Sequence, residues 1–135
     1  MDDLESQFEP GWLKVGVAAE LARRYGEEGR GFLSSLAALL ERALPEAIEI
    51  ERAGGWFAPK VLHRIVITLA SDRYAIEDGG RAGLLASKTH VVRGIALKTE
   101  EMPVPQWLDE LGATLQARAS THRDTREALE KFVEF

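Results

Sequence analysis

The segment Val61-Leu62-His63-Arg64-Ile65-Val66-Ile67-Thr68-Leu69 sets the reading of the whole chain. A strand turns successive side chains to opposite faces. One parity therefore holds Val61, His63, Ile65, Ile67 and Leu69, and the other holds Leu62, Arg64, Val66 and Thr68. A strand that is apolar on both parities is covered on both faces, by its own helices or by another subunit. Before it, Ile48 and Ile50 alternate with Glu49 and Glu51, which reads as a half-buried strand. Gly54-Gly55 ends that strand, and Trp56-Phe57-Ala58-Pro59 forms a loop with two large aromatics. After it, a turn near Ser71-Asp72 leads into a strand over 74–77, and Asp78-Gly79-Gly80 is a second turn. Residues 84–98 then read as one extended segment, bent or bulged at Gly94, with Val91, Ile95 and Leu97 facing inward.

Helical periods flank this block on both sides. Residues 1–8 carry no apolar period and are expected to form a mobile acidic lead. A helix is expected from Pro10, with Leu13, Val17, Leu21 and Arg24 at helical spacing and Gly26 as its stop. A second runs from Gly31 to Leu44 on a stripe of Phe32, Leu33, Leu36, Leu39, Leu40, Ala43 and Leu44, closed by Pro45. Pro105 opens a third, striped by Trp107, Leu108, Leu111 and Leu115, and a break near Ser120-Thr121 precedes a short last helix with Leu129, Phe132 and Val133. Runs of strands between runs of helices indicate an α+β fold. The expectation is a roughly four-stranded antiparallel sheet with two N-terminal and two C-terminal helices packed on it, in the order ααββββαα. Residues 9–135 form one domain, since no repeat, low-complexity tract or linker divides them.

Composition narrows the setting. The chain has 135 residues, no cysteine and a formal net charge of −5. Without cysteine there are no disulfides, thiolate metal sites or cysteine nucleophiles, and the composition suits a reducing compartment. The acidic start lacks the basic and apolar regions of a signal peptide, and the longest uncharged apolar stretch, 31–40, is half a membrane span. A soluble cytoplasmic protein without membrane insertion is the expectation. The charge is uneven: residues 1–46 balance at −4, 47–98 at +3 and 99–135 at −4.

Catalytic motifs are missing. His63, His90 and His122 are too far apart in sequence for a HExxH-type ligand set, so no metal is expected. His63 reads as a core-edge histidine before it reads as a general base on a strand, and His63 approaches His90 only in one strand register. No GxSxG elbow surrounds a serine, and Glu27-Glu28 and Glu100-Glu101 are adjacent residues that diverge instead of converging. Gly26 to Gly31 joins two helices, whereas a dinucleotide fingerprint follows a strand. Gly79-Gly80-Arg81-Ala82-Gly83 reads as a flexible hairpin. No catalytic residue and no cofactor follow from the sequence, and a non-enzyme is the favoured reading.

Two features point to binding instead. Basic residues collect on the strands, and Arg64, Lys88, His90 and Lys98 can share a second sheet face with Leu62, Val66 and Val92. Lys88, His90 and Arg93 are the candidate anion site on it. The plainer alternative is a solvated face whose charges pair with Glu49, Glu51 and Glu77. Nucleic acid is disfavoured by the net negative charge and by the single strand aromatic, Tyr74. The second feature is Trp56-Phe57, which either folds over the core or stands out as an anchor. The expected partner surface is Trp56, Phe57, Leu62, Arg64 and Val66. The favoured expectation is a small non-catalytic binding, adaptor or chaperone-like protein with a protein partner, self-associating as a homodimer. The alternative is an anionic-ligand protein or enzyme built on the strand histidines, arginines and lysines.

Overall fold

The computed structural model describes residues 16–133. The expected acidic lead and the start of the first helix at Pro10 lie outside the described residues. Helix α1 covers 16–28, a 3-10 turn spans Gly29–Gly31, and α2 is Phe32–Ala43. Five strands follow: β1 Ile48–Ala53, β2 Val61–Leu69, β3 Asp72–Asp78, β4 Leu84–Val92 and β5 Ile95–Met102. A second 3-10 turn, Gly80–Ala82, joins β3 to β4, and helices α3 Val104–Ala119 and α4 Arg123–Val133 close the chain. The strands form one antiparallel meander in the order β1-β2-β3-β4-β5. The α+β class is as expected, with one strand more than the sequence indicates.

The extra strand comes from a reversal at residues 93–94. Val92 pairs with Ile95, so the segment read as one bent strand is a hairpin with a two-residue turn. Both turn residues have positive φ, Arg93 at 52° and Gly94 at 79°. That is the requirement of the tight turn whose twist matches paired strands, and glycine meets it without steric cost.

The helices cover one face of the sheet. Ile65, Ile67 and Leu69 of β2, Tyr74 and Ile76 of β3, and Leu84 and Ala86 of β4 join the helix side chains in one core. Trp107 of α3 is its largest member. The ring is fully buried, donates Nε1–H to Ser87 O at 2.9 Å, and meets the Tyr74 ring edge-on at 6.2 Å. The Tyr74 hydroxyl in turn lies 3.2 Å from Thr114 Oγ1. These contacts lock α3 over β3 and β4. At the other end of the core, buried Thr125 of α4 donates to Ala43 O at 2.6 Å and satisfies a carbonyl that the end of α2 leaves free.

A bulge corrects the face of one residue. Glu51 pairs with Arg64 but Arg52 pairs with Leu62, so His63 is an extra residue on β2. An extra residue shifts the alternation by one. Leu62 therefore packs against the core instead of sharing a face with Arg64 and Val66. The inward expectation for Val91, Ile95 and Leu97 is also corrected. Val91 pairs across from Ser71 on the parity opposite the core residues Leu84 and Ala86, and Ile95 and Leu97 are more than 60% exposed.

Candidate functional site

The face away from the helices carries Arg64, Val66 and Thr68 of β2 with Arg73, Ala75 and Glu77 of β3. Val66 and Ala75 oppose each other at its centre and are both buried. Arg64 lies 3.5 Å from Glu51 on one side and opposes Glu77 on the other. His63 lies 3.7 Å from the Glu77 carboxylate. Arg64 and His63 thus sit beside cross-strand acids, whereas Arg73 stands between Thr68 and Thr89.

Lys88, His90 and Lys98 are on the opposite face from Arg64. They follow Leu84 and Ala86 in parity and emerge where α3 stops covering β4. Lys88 Nζ lies 3.1 Å from Glu110 of α3 and 3.8 Å from Asp72, and 5.6 Å above the Tyr74 ring. The hydrogen bond to Glu110 raises the Lys88 pKa above its ordinary value, so the ammonium is a permanent cation at neutral pH. His90 Nδ1 is 3.2 Å from Asp72, and Lys98 is 3.1 Å from Glu100. Asp72, Lys88, His90, Lys98 and Glu100 line a shallow hollow of ≈ 170 Å³.

Chemically this hollow is closed on itself, with Lys88 and Lys98 paired to acids and His90 in contact with Asp72. Each cation in it already faces a carboxylate, so it offers an incoming anion no unmatched positive charge. Arg93 does not join it: the residue stands in the β4–β5 turn and takes no part in the lining. The two strand histidines also stay apart. His63 sits beside Glu77 on one face and His90 beside Asp72 on the other, at opposite ends of β3. Five residues of strand separate those partners, about 17 Å at ~3.4 Å per residue. Among the described residues no cluster of three or more histidines and acids could hold a metal, and no helix is long and apolar enough to cross a membrane.

The aromatic loop behaves differently. Trp56 and Phe57 are fully exposed (100% and 104%), the largest apolar side chains left in water among the described residues. The loop that carries them is built, not slack. A Cβ on Gly54 would come within 2.7 Å of Pro59 O and 2.9 Å of Lys60 Cα, so only glycine lets the two ends of the loop close. Ala58 N–H donates to Gly55 O at 3.3 Å across the tip. The other exposed apolar group is at the diagonally opposite corner of the sheet, where Val92, Ile95 and Leu97 surround the β4–β5 turn. Sequence reading picked out the first group and missed the second, because it placed Ile95 and Leu97 inside. A groove of ≈ 620 Å³ at the junction of β5 and α3, lined by Tyr25, Leu84, Met102, Val104 and Pro105 together with Glu77 and Glu101, brings two acids and no cation together.

Comparisons with protein-family models, curated proteins and solved structures found no match for this chain.

Proposed function

We propose that this protein is a non-catalytic binding protein, of the adaptor or chaperone-like kind, that engages a protein partner through the Trp56–Phe57 loop and works as a homodimer. The observation that carries the reading is the joint exposure of Trp56 and Phe57 on a loop closed by Gly54. Two adjacent large aromatics in water cost hydrophobic free energy, and their burial in a partner recovers it at the kind of residue that dominates interface energetics. The ion-paired hollow around Lys88 and His90 supports the same reading from the other side, since it holds no unmatched group with which to start chemistry. The reading places the protein in the cytoplasm, in keeping with a chain that has no cysteine.

The test uses the double variant Trp56→Ala, Phe57→Ala beside the wild-type chain. Each is tagged and recovered from its native lysate at moderate salt. Both proteins should give the same circular dichroism spectrum and the same thermal midpoint within a few degrees, because neither ring touches the core. A defined protein should co-purify with the wild type and be lost from the double variant. An unfolded double variant, or a partner retained equally by both, would sink the reading.

A further inference from the structure

Two backbone hydrogen bonds fix which way every peptide group in the sheet points. Thr68 N–H donates to Ala47 O at 3.0 Å, and Val91 N–H donates to Ser71 O at 2.7 Å. In an antiparallel sheet the N–H and C=O of one residue face the same neighbour, and the direction alternates along the strand. Odd-numbered residues of β4 therefore bond to β3, while Ala86, Lys88 and His90 bond to β5. Their partners Met102, Glu100 and Lys98 spend their backbone groups on β4. Thr99 and Glu101 aim theirs the other way, past the edge where the described sheet ends. The Thr89–Thr99 pair agrees, with its hydroxyls 2.8 Å apart as in the closer, non-hydrogen-bonded type of pair. The strand is accessible too: every residue from Ile95 to Glu101 is exposed.

We infer that β5 is the homodimer interface: two copies of this chain pair their β5 strands antiparallel about a two-fold axis at Thr99, joining the two sheets into one. The inference rests on the self-association in the proposed function and says where it happens. Charge selects the register. A two-fold axis perpendicular to the sheet sets each residue against the one equally far on the other side of the axis. With the axis at Thr99, Lys98 faces Glu100 of the second copy and Glu100 faces its Lys98, all on one face, and threonine faces threonine. An axis at Lys98, Glu100 or Glu101 sets that charged residue against itself, which is unfavourable across strands. Of the axes that lay the charged half of β5 against itself, Thr99 alone opposes unlike charges. Lys98 and Glu100 already lie 3.1 Å apart within the chain and 73% and 56% exposed, so the same two groups can exchange partners across the axis.

The opposite edge of the sheet is built against the same use. By the same alternation, β1 points the backbone of Ile48, Ile50 and Arg52 outward. An axis at Ile50 sets Glu49 against Glu51, and an axis at Glu49, Glu51 or Arg52 sets each of those against itself. Like charges on an exposed edge are a common guard against edge-to-edge pairing.

The oligomeric state of the full chain, measured by sedimentation across a concentration series, tests the inference. Wild type should be a dimer. Thr99→Pro removes an outward N–H and leaves the β4 ladder whole, so it should be a monomer with an unchanged circular dichroism spectrum. Lys98→Glu and Glu100→Lys should each weaken self-association roughly 10- to 30-fold, since both cross-strand pairs become repulsive. Mixed in equal amounts, these two variants should form a heterodimer about as tight as wild type, which the loss of an intrachain ion pair cannot produce. A monomeric wild type overturns both this inference and the proposed self-association, whereas partner capture by Trp56–Phe57 is read separately in the lysate experiment. A dimer that ignores Thr99→Pro and shows no preference on mixing overturns the inference alone. So does a dimer that only Trp56→Ala dissolves, which would move the contact to the aromatic loop.

Discussion

The two edge strands of the sheet are both charged, yet they stand in opposite relations to the core. On β1, Ile48 and Ile50 pack against the helix-side core while Glu49 and Glu51 stay in water. On β5 every residue from Ile95 to Glu101 is exposed, only Met102 at its end reaches the core, and within the described sheet the strand pairs with β4 alone. The helical layer reaches as far as β4, where Trp107 takes hold, and stops. An edge backed by core is held in place by side chains, and its charges are free to repel other edges. An unbacked edge is held by backbone bonds to one neighbour, and further support has to come from outside the fold. The alternating Lys98 and Glu100 of β5 and the paired acids Glu49 and Glu51 of β1 fit that division.

The largest effect is expected at Trp107. This ring is what holds β4 under the helices, through its packing and its bond to Ser87 O. Trp107→Ala should cost about 3–5 kcal/mol, the usual range for deleting a buried large aromatic. Urea denaturation gives the number. A loss below ~1 kcal/mol would mean that α3 does not hold β4, and the distinction between a backed and an unbacked side of the sheet would fail.

A paired substitution asks the same question of the edges themselves. Ile50→Ala removes a partly buried side chain from the core side of β1 and should cost about 2 kcal/mol, at the low end for Ile→Ala. Leu97→Ala removes a side chain that is 61% exposed. At concentrations low enough to keep the chain monomeric it should cost under about 0.5 kcal/mol, as surface substitutions do. Equal costs would put β5 under cover that the geometry does not show.

What the sequence made legible follows the strength of each local signal. The span of β2 was readable to the residue, because apolar and β-branched residues fill both parities between a proline loop and a turn. Helix α2 was readable within a residue at each end, from its apolar stripe and Pro45. The β4–β5 reversal was not, because its turn begins with an arginine at positive φ, where asparagine or aspartate would have announced it. The faces were harder still. The bulge at His63 moves Leu62 to the core side, and nothing in a single sequence marks an extra residue in one strand. In β4 the core parity is held by Leu84 and Ala86 while Leu85 and Val91 are on the other, so apolar content does not separate the two faces. That is why Lys88 and His90 were expected beside Arg64 and lie on the far side of the sheet from it. The exposure of Trp56 and Phe57 was open in the sequence, which leaned slightly to burial, since a loop has no period to show which way its side chains point.

The two tight turns supply the smallest and most selective effect. Ala70 joins β2 to β3 at φ 54° and Arg93 joins β4 to β5 at φ 52°, so both place a side chain in the left-handed region. That costs roughly 1 kcal/mol for a residue other than glycine or asparagine. Ala70→Gly relieves the strain but frees the unfolded chain, and Arg93→Asn relieves it with less such loss, so each should stabilise by about 0.5 kcal/mol. The two gains should appear in different places. The first turn lies between two strands that the helices cover, so relief there should raise the global unfolding free energy. The second belongs to the hairpin that carries the uncovered edge, and local opening of that hairpin need not unfold the core. Arg93→Asn should therefore slow amide exchange at Lys98 and Glu100, whose N–H groups bond to β4, more than it shifts the denaturation midpoint. Thr99 and Glu101, whose N–H groups face outward, should exchange fast in both proteins while the chain is monomeric. Uniform protection along β5 under those conditions would show that this strand has no open edge, and the contrast with β1 would have to be given up.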